Sequence, residues 1–496
     1  MIRPAVQARS GRLEDVGRSD VRFALTHPVH RVAIADASDR WSLAFGGVGL
    51  EVADLADWDS ADPPDLVVAP ASAARRAAAS GAGAVVLEGR ASRSALEAAG
   101  YRVRRLLALP SADAPEVLVP VDDAPVLRYV LQNWTVPKRR WKVARNRLLG
   151  RMLPTGASAP GLPVLTVGER ESGAPFLAAA AVRHGVAAGG RWFLGLSQGD
   201  ALSRGVLHLF PSAGAEPSWV LKFARVAGYD YPVERDRRGL ELALRAGGRV
   251  AQHAPRFLGR LEVEGLHVTV ETAAIGQRLP SLLGSTASSS AKLGAVAAVA
   301  DWAIDILCET ATPAALDPER ARLAAEVLPR WGVDGAVAER IAGVPAVVAH
   351  NDLGTWNIVA GRSHFVVLDW ESAVERGFPL WDLAYFLADA SYQLDLGSLG
   401  PGRVEHFGRL FRGELAGSPL LFDRIRRAAR RLALPAETVG PLVTFGWLHH
   451  GLSHVGRDMR LELHAPGMGA SSDEFGRMAR LWLDDPALGL GWSCWR

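Results

Sequence analysis

The chain has few cysteines and no long uncharged apolar segment. Among its 496 residues only Cys308 and Cys494 are cysteines, and they lie far apart without metal-type spacing. We therefore expect no disulfide framework. So few cysteines are typical of proteins in a reducing cytoplasm. The most apolar stretch, residues 293–307, is interrupted by Asp301 and Asp305. It is too short and too charged for a membrane span and predicts an amphipathic helix.

Two further absences bear on function. The first twenty residues lack an apolar core followed by a small-residue cleavage site, so we expect no signal peptide and a cytoplasmic protein. Charge of neither sign is in excess, because 56 basic residues stand against 53 acidic ones, for a net charge of +3. That balance argues against specific nucleic-acid binding. The apolar fraction of 49% is typical of a globular protein.

The first 153 residues alternate short apolar runs with alanine-rich segments. The runs at 31–37, 49–55, 65–71, 84–90 and 101–109 predict strands, and 72–80 and 92–100 predict helices. This alternation predicts an α/β domain with a parallel layer, loosely resembling a Rossmann-like methyltransferase core. However, no G-x-G-x-x-G turn follows the first strand. A structural or partner-binding domain and a degenerate cofactor or sugar-nucleotide site both stay open.

A basic segment and a segment rich in proline and glycine follow. Residues 137–153 hold seven lysines and arginines and no acid, with Trp141, Ala144, Leu148 and Met152 at helical spacing. This pattern predicts a basic amphipathic helix. Its apolar stripe either packs against the domain or touches an anionic membrane surface peripherally. Residues 154–189, with several prolines and glycines, are predicted to be a linker.

The most informative stretch lies at residues 350–371. Asp352 and Asn357 stand five residues apart in a turn-like segment, and the apolar run 365–369 predicts a buried strand that ends at Asp369, just before Glu371. Phosphoryl transfer needs a carboxylate that orients the attacking hydroxyl and oxygen ligands that hold Mg²⁺ against the phosphates. The stretch provides both.

These residues resemble the catalytic segment of the aminoglycoside phosphotransferase and choline kinase-like family. The family carries His-x-Asp, an Asn five residues after the Asp, and Asp-x-Glu after a strand; residues 379–387 also match its usual continuation. The resemblance implies an α+β, bilobal, protein-kinase-like domain, with a small antiparallel-sheet N-lobe at 190–275 and a helical C-lobe at 276–496. It implies the following roles: Asp352 as the catalytic carboxylate, Asn357, Asp369 and Glu371 as Mg²⁺ ligands, and His350 and Asp382 as supports of the loop.

The predicted N-lobe supplies nucleotide-binding candidates. Residues 192–210 predict a hairpin whose turn, with Gly199, could place backbone N–H groups over phosphates. Lys222 stands inside an apolar strand and needs an anionic partner there. By the resemblance, Lys222 touches the α- and β-phosphates, and a helix carboxylate holds it in place. We predict Glu234 as that carboxylate, with Asp236 and Glu241 as alternatives.

The strand at 267–279 resembles the family's hinge, in which backbone groups pair with the adenine edge. By position before Gly276, Ala273 and Ala274 would make those contacts. Side chains at a hinge say little about the base, so both ATP and GTP stay open as cofactors beside Mg²⁺.

The acceptor is predicted to be a small molecule. Asn351 and Asp-Trp-Glu stand where protein kinases carry Arg and Asp-Phe-Gly, and no A-P-E segment follows. Residues 377–496 contain 13 acidic and 13 basic residues, without the acidic excess expected for an aminoglycoside. We therefore predict an Mg-ATP-dependent kinase of a sugar, amino alcohol or glycan-related hydroxyl. The alternative is an inactive pseudokinase that serves as a nucleotide-binding scaffold or regulator.

Overall fold

The fold is taken from a computed structural model of the chain. It describes residues 16–36, 39–59, 61–89, 93–112, 115–134, 140–153, 162–196, 204–226, 228–285, 287–313, 316–361, 364–395, 402–464 and 474–495. Gly199 lies outside the described residues, and so do Lys138 and Arg139 of the basic segment.

A large sheet runs through the N-terminal half of the chain. Its twelve strands are β1 (Arg31–Ile34), β2 (Glu51–Asp54), β3 (Leu66–Pro70), β4 (Ala84–Glu88), β5 (Arg102–Pro110), β6 (Pro115–Pro120), β7 (Val164–Glu169), β8 (Arg191–Leu196), β9 (Arg204–Phe210), β10 (Trp219–Ala224), β11 (Phe257–Val263) and β12 (Leu266–Thr272). Their order is β11-β12-β10-β9-β8-β6-β5-β7-β4-β3-β1-β2.

One end of the sheet is parallel and the rest is antiparallel. Strands β2, β1, β3 and β4 are parallel neighbours. The central β3 and β4 are apolar along almost their whole length and buried, as expected for parallel strands covered on both faces. Helices α2 (Asp39–Gly47), α3 (Ala74–Ala79) and α4 (Arg93–Ala98) lie between these strands in the sequence. The five predicted strands and both predicted helices of this region are confirmed.

The predicted linker contains ordered structure. Strand β7 lies inside the sheet, paired with β4 on one side and β5 on the other, and α7 (Phe176–Arg183) follows it. The prediction was wrong for these residues because the prolines and all glycines but Gly168 lie outside a six-residue buried strand and do not form one continuous loop with it. Gly168 lets β7 pass Tyr101, since a Cβ atom there would lie 3.2 Å from the Tyr101 Cβ.

The two predicted domains share this sheet. Strand β6 pairs with β8 through Val117 opposite Gly195 and Leu118 opposite Leu194. Near the N-terminus, Arg225 Nε on the β10 side donates to Asp20 Oδ2 at 2.9 Å, and both side chains are buried. The antiparallel N-lobe strands β8–β12 are therefore part of a larger sheet and not the small separate sheet that was predicted. The domain boundaries themselves stay a prediction.

The basic helix spans α6 (Arg140–Met152) in the described residues. It packs through Asn146, whose Nδ2 donates to Leu131 O at 3.2 Å, and through Leu149. Leu148 and Met152 are 55% and 43% exposed. At these two positions the predicted apolar stripe therefore faces outward and does not pack against the rest of the chain. The helix is rotated so that Asn146 is buried instead. Contact with an anionic membrane stays a prediction.

The C-terminal half is helical around two small sheets. Its strands are β13 (Gln277–Arg278), β14 (Val347–Ala349), β15 (Ile358–Ala360), β16 (Phe365–Val367) and β17 (Val374–Gly377). Its helices are α10 (Leu279–Leu283), α11 (Ser289–Thr310), α12 (Asp317–Arg322), α13 (Trp381–Asp395), α14 (Arg403–Arg412), α15 (Ser418–Arg431), α16 (Ala436–His464) and α17 (Glu474–Asp484). Four further helices precede β13 in the chain: α1 (Val16–Ser19), α5 (Ala124–Asn133), α8 (Tyr231–Ala246) and α9 (Gly248–Gln252).

Helix α11 confirms the amphipathic helix predicted at 293–307. The Ser288 hydroxyl caps its first turn by accepting from the Ala291 N–H, and one face is buried in the C-terminal core. Within the ranges described above, no helix is both long and apolar enough to cross a membrane.

Candidate functional site

Lys222 is buried on β10 between two carboxylates. Its Nζ donates to Asp236 Oδ2 at 2.7 Å and lies 3.0 Å from Glu271 Oε1. Burial disfavours the ammonium charge, but Asp236 and then Glu271 outweigh it and raise the Lys222 pKa. The side chain therefore stays charged in the interior, which is the state needed for binding phosphate.

The predicted partner Glu234 does not contact Lys222. Glu234 instead pairs with Arg237 and Arg238 on its own helix, while Asp236, one of the two alternatives, faces the lysine. Glu241, the other alternative, pairs with Arg237. Residues two apart on a helix point about 200° apart, so only one of the pair 234 and 236 can face β10.

A glycine allows α8 to approach the catalytic segment closely. A Cβ atom on Gly239 would lie 1.8 Å from the Trp370 carbonyl oxygen, a distance that no side chain permits. The backbone of α8 therefore rests directly on the turn after Asp369. This contact fixes the rotation of the helix that directs Asp236 towards Lys222.

Asp352 and Asn357, two of the predicted site residues, contact each other within one loop. Asn357 Nδ2 donates to Asp352 Oδ2 at 3.1 Å and to Asp352 O at 2.8 Å. The hydrogen bond to the Asp352 carbonyl oxygen closes the loop on itself. Because both bonds use the amide nitrogen, the Asn357 amide oxygen is left for another partner. Asp352 lies at the edge of a cavity of about 520 Å³.

His350 and Asp382 hold the loop from behind. His350 is buried; its N–H donates to Asp382 Oδ2 at 2.6 Å, and its Nε2 donates to Leu368 O at 2.9 Å. The Asp352 N–H donates to His350 Nδ1 at 3.3 Å, so both ring nitrogens of His350 contact the backbone around the loop. Burial raises the pKa of Asp382. These contacts fit the supporting roles predicted for both residues.

Sequence reasoning missed a second brace, formed by Asp389. Its Oδ2 accepts from the Thr355 N–H at 2.9 Å and from the Thr355 hydroxyl, while Arg403 Nη2 donates to Oδ1 at 2.8 Å. Asp389 stands seven residues after Asp382 on α13, which places both carboxylates on one face of that helix. This spacing was the signal available in the sequence.

Sequence reasoning also missed Arg204 on β9, which links α8 to the segment that follows β16. Its Nη2 donates to Asp369 Oδ1 at 2.6 Å, and its Nη1 lies 3.0 Å from Asp236 Oδ1 and 3.4 Å from Glu371 Oε2. The Arg204 guanidinium thus connects Asp236, the partner of Lys222, with the predicted metal ligands Asp369 and Glu371. Asp369 adopts a left-handed backbone with φ of 62°, an uncommon conformation that turns its carboxylate towards Arg204.

Charge in this cluster is strongly coupled. Burial alone would raise the pKa of Asp369, but Arg204 and then Lys222 outweigh it and hold that pKa at about 2. Burial and the neighbouring Asp369 raise the pKa of Glu371. Burial also raises the pKa of Glu271 to about 7, against the pull of Lys222. Asp369 is therefore the firmly ionised member.

The donor set suits a magnesium ion held jointly with a nucleotide. Mg²⁺ is commonly bound by one or two carboxylates, several waters and substrate phosphates rather than by an all-protein cage. Asp369, Glu371 and the amide oxygen of Asn357 provide such a set. Consistently, the described residues contain no group of three or more histidine, cysteine, aspartate or glutamate side chains that could hold a metal by themselves.

The remaining nucleotide candidates are partly placed. The predicted hairpin is confirmed by the pairing of β8 with β9, although its connecting residues, with Gly199, are outside the described residues. The predicted hinge follows β12, where the Ala273 N–H donates to Ser218 O at 3.0 Å. That amide is therefore already engaged. The proposed base contacts of Ala273 and Ala274 stay predictions.

Comparisons with known proteins give only distant similarities. No family model and no curated protein matches the chain. A glucosamine kinase solved with glucosamine, ADP and inorganic phosphate is similar over 50% of this chain and 74% of its own, with 14% identity and a TM-score of 0.31. An aminoglycoside-3'-phosphotransferase of type VIII covers 46% of this chain and 88% of its own, at 19% identity and a TM-score of 0.27.

A third similar structure extends over the N-terminal half. The bifunctional kinase-methyltransferase WbdD covers 85% of this chain and 88% of its own, with 12% identity and a TM-score of 0.26. These structural neighbours are kinases, but identities below 25% and TM-scores below 0.5 give them no weight for fold or activity. The function has to be inferred from the site.

Proposed function

We propose that this chain is an Mg-ATP-dependent phosphotransferase that phosphorylates a hydroxyl group of a small molecule. The observation that carries the proposal is the bridge by Arg204 between Asp236, the partner of Lys222, and Asp369. It brings a charged strand lysine and an ionised carboxylate, 147 residues apart in sequence, into one cluster with Glu371, which lines the same cavity as Asp352. A phosphate-binding cation, metal ligands and a carboxylate beside a cavity are the parts that phosphoryl transfer requires.

The chain's own residues divide the work. Lys222 would bind nucleotide phosphate oxygens, oriented by Asp236 and Glu271. Asp352 would orient the acceptor hydroxyl and accept its proton, with its carboxylate position fixed by the Asn357 amide. Asp369, Glu371 and Asn357 would hold Mg²⁺, which when bound neutralises developing charge on the phosphates. His350, Asp382 and Asp389 would keep the loop rigid.

A second candidate function, the inactive pseudokinase, is favoured by one specific observation. The Arg204 guanidinium occupies Asp369 Oδ1 at 2.6 Å, where a metal ion would bind. A protein that keeps this ion pair would bind nucleotide without metal and without transfer. The same polar groups would then serve a scaffold or regulator.

Replacement of Asp352 separates the two candidates. We expect Asp352→Asn to lower kcat about 1,000-fold on any accepted hydroxyl compound, because general-base catalysis contributes roughly 10²–10⁴. ADP release should be measured across sugars, amino alcohols and aminoglycosides, and ATP and GTP binding by calorimetry. Asp423→Asn, on the exposed surface of α15, is the matched control and should leave kcat unchanged.

Each alternative outcome has a clear meaning. Undiminished turnover in Asp352→Asn would refute the assigned mechanism. Nucleotide binding by the unaltered protein without turnover of any compound would instead establish the pseudokinase.

A further inference from the structure

The cavity beside Asp352 is lined by three arginines that form no ion pair within 4.0 Å with a described carboxylate. We propose that the acceptor bears, besides its hydroxyl, an anionic substituent of the phosphate or carboxylate type, recognised by Arg235, Arg330 and Arg376. This inference rests on the proposed phosphotransferase function and specifies the substrate class for that site. The three arginines come from α8, from the turn at Pro329–Trp331 and from β17, and all line the same cavity.

None of the three guanidinium groups forms an ion pair within 4.0 Å with a described carboxylate. Arg235 Nε donates to the Glu371 carbonyl oxygen at 3.2 Å and Nη2 to Ser372 Oγ at 3.4 Å, and its charge also opposes the rise in the pKa of the Glu371 carboxyl. Arg330 and Arg376 are exposed. The charges of Arg330 and Arg376 are therefore available to a ligand, and Arg235 adds a charge that Glu371 balances in part.

The acids that line the cavity are mostly committed elsewhere. Glu319 Oε2 accepts from Arg322 Nε at 2.9 Å, so this pair is neutral as a unit. Glu371 lies 3.4 Å from Arg204, and Asp352 is the proposed catalytic carboxylate. Outside the pairs Glu319–Arg322 and Glu371–Arg204, the described lining thus sets Arg235, Arg330 and Arg376 against Glu326 and Asp352. A ligand anion would gain charge-assisted hydrogen bonds there, and an ammonium group would be repelled.

The remaining wall is aromatic and uncharged. Trp381 and His449 stack with ring centroids 5.1 Å apart, and both line the cavity. Burial, assisted by Arg322, lowers the His449 pKa to about 4, so its imidazole is neutral near pH 7. Such a wall suits the carbon skeleton of the acceptor and leaves recognition of charge to the arginines.

Another arginine cluster in the C-terminal half does not have this property. On α15, Arg424 and Arg427 pair with Asp301, and Arg431 pairs with Asp305. Three arginines of this helix are therefore paired with two aspartates of α11. The cavity arginines, which are scattered in the sequence, form no such pair within 4.0 Å.

The test compares matched acceptors on a common skeleton. For glucose and for ribose, ADP release is measured with the neutral sugar, its terminal phosphate and its aldonic or uronic acid, and for glucose also with glucosamine. We expect kcat/KM at least tenfold higher for an anionic member than for its neutral parent. Comparing kcat/KM for the sugar phosphate with kcat/KM for the sugar acid shows which anionic group is preferred. The preference should shrink at high ionic strength.

Variants tie this preference to the cavity. Arg330→Gln/Arg376→Gln should raise KM for the anionic acceptor about tenfold and leave kcat and the activity on the neutral sugar unchanged. Arg340→Gln, an exposed arginine outside the cavity, is the matched control and should behave like the unaltered protein. A preference for neutral or cationic acceptors, or one that survives the double substitution, would overturn the inference while the phosphotransferase function stands.

Binding without turnover keeps the two proposals distinguishable. The melting temperature of Asp352→Asn is measured with each compound, with and without the two arginine substitutions. If no compound is phosphorylated, the proposed function fails. Stabilisation by the phosphate or acid that disappears with the arginines would still support an anion-binding cavity, and stabilisation by none of the anionic compounds would refute it.

Discussion

The two ends of the cleft handle positive charge in opposite ways. At the proposed nucleotide end, defined here as Lys222, Arg204 and their carboxylate partners, each cation is at most 12% exposed and lies within 3.0 Å of a carboxylate oxygen. At the proposed acceptor end, the cavity of Arg235, Arg330 and Arg376, the guanidinium groups form no ion pair within 4.0 Å with a described carboxylate. The first end therefore has its charges paired within the chain, whereas the second has charge that a ligand would neutralise.

This difference has an energetic consequence. Removing one partner of a buried ion pair leaves an uncompensated charge and costs about 3–5 kcal/mol, whereas exposed pairs contribute about 0–1 kcal/mol. Substitutions at the nucleotide end should thus affect both stability and activity. Substitutions of the acceptor-end arginines should affect ligand affinity with little change in stability.

The largest effect is expected for the partner of Lys222. Asp236→Asn should lower the free energy of unfolding by about 3 kcal/mol and lower kcat/KM for ATP, because Lys222 and Arg204 both lose a buried countercharge. Glu234→Gln, on the same helix, should cost less than about 1 kcal/mol. Urea unfolding and ATP kinetics measure both. Equal effects of the two substitutions would remove the distinction between Asp236 and Glu234.

A smaller effect is expected when the Arg204 bridge is removed. In Arg204→Gln no guanidinium competes with Mg²⁺ for Asp369. We expect the Mg²⁺ concentration that gives half-maximal ATP binding to fall about fivefold, equivalent to about 1 kcal/mol. Calorimetric ATP titrations at several Mg²⁺ concentrations measure this without requiring turnover. Arg245→Gln, exposed at the end of α8, is the control. An unchanged or higher Mg²⁺ requirement would show that Arg204 does not compete with the metal.

The smallest effect concerns the pH dependence of stability. Burial raises the pKa of Glu271 to about 7, above its ordinary value near 4.3, so the folded state holds this proton more tightly than the unfolded state. The resulting stabilisation is complete below about pH 4 and is lost as pH rises through 7. Glu271→Gln stays neutral and escapes the loss.

The free energy of unfolding of Glu271→Gln, relative to the unaltered protein, should therefore rise between pH 5 and pH 8. Urea unfolding at the two pH values measures it. Glu262→Gln, an exposed glutamate on the neighbouring strand, should show no such trend. A difference independent of pH would mean that Glu271 is ionised throughout this range.

Local spacing made part of the site predictable. Asp352 and Asn357 share one loop, so their contact needs only five residues of chain. Lys222 was identifiable because a lysine inside an apolar strand requires an anionic partner. The parallel strands β1–β4 were predictable for a similar reason, since their apolar runs have the length and composition of buried strands.

Long-range packing decided the rest. Arg204 and Asp369 are 165 residues apart, and no periodicity relates them. The role of β7 was hidden because a short strand between prolines and glycines is distinguished from a loop only by its neighbours, β4 and β5. Likewise, the pairing of Arg424, Arg427 and Arg431 on α15 with Asp301 and Asp305 on α11 joins residues far apart in the sequence.

The sequence by itself determined which chemical groups are present and in which order: Lys222 on a strand, Asp352 and Asn357 on a loop, and Asp369 and Glu371 after a second strand. Only the tertiary structure decided which carboxylate holds the lysine and which arginines remain unpaired. The choice of Asp236 over Glu234 depends on how α8 is rotated, and that rotation is set where Gly239 rests on Trp370. Spacing along the chain specifies local contacts. Which side of a helix or strand faces its neighbour depends on packing between residues far apart in sequence.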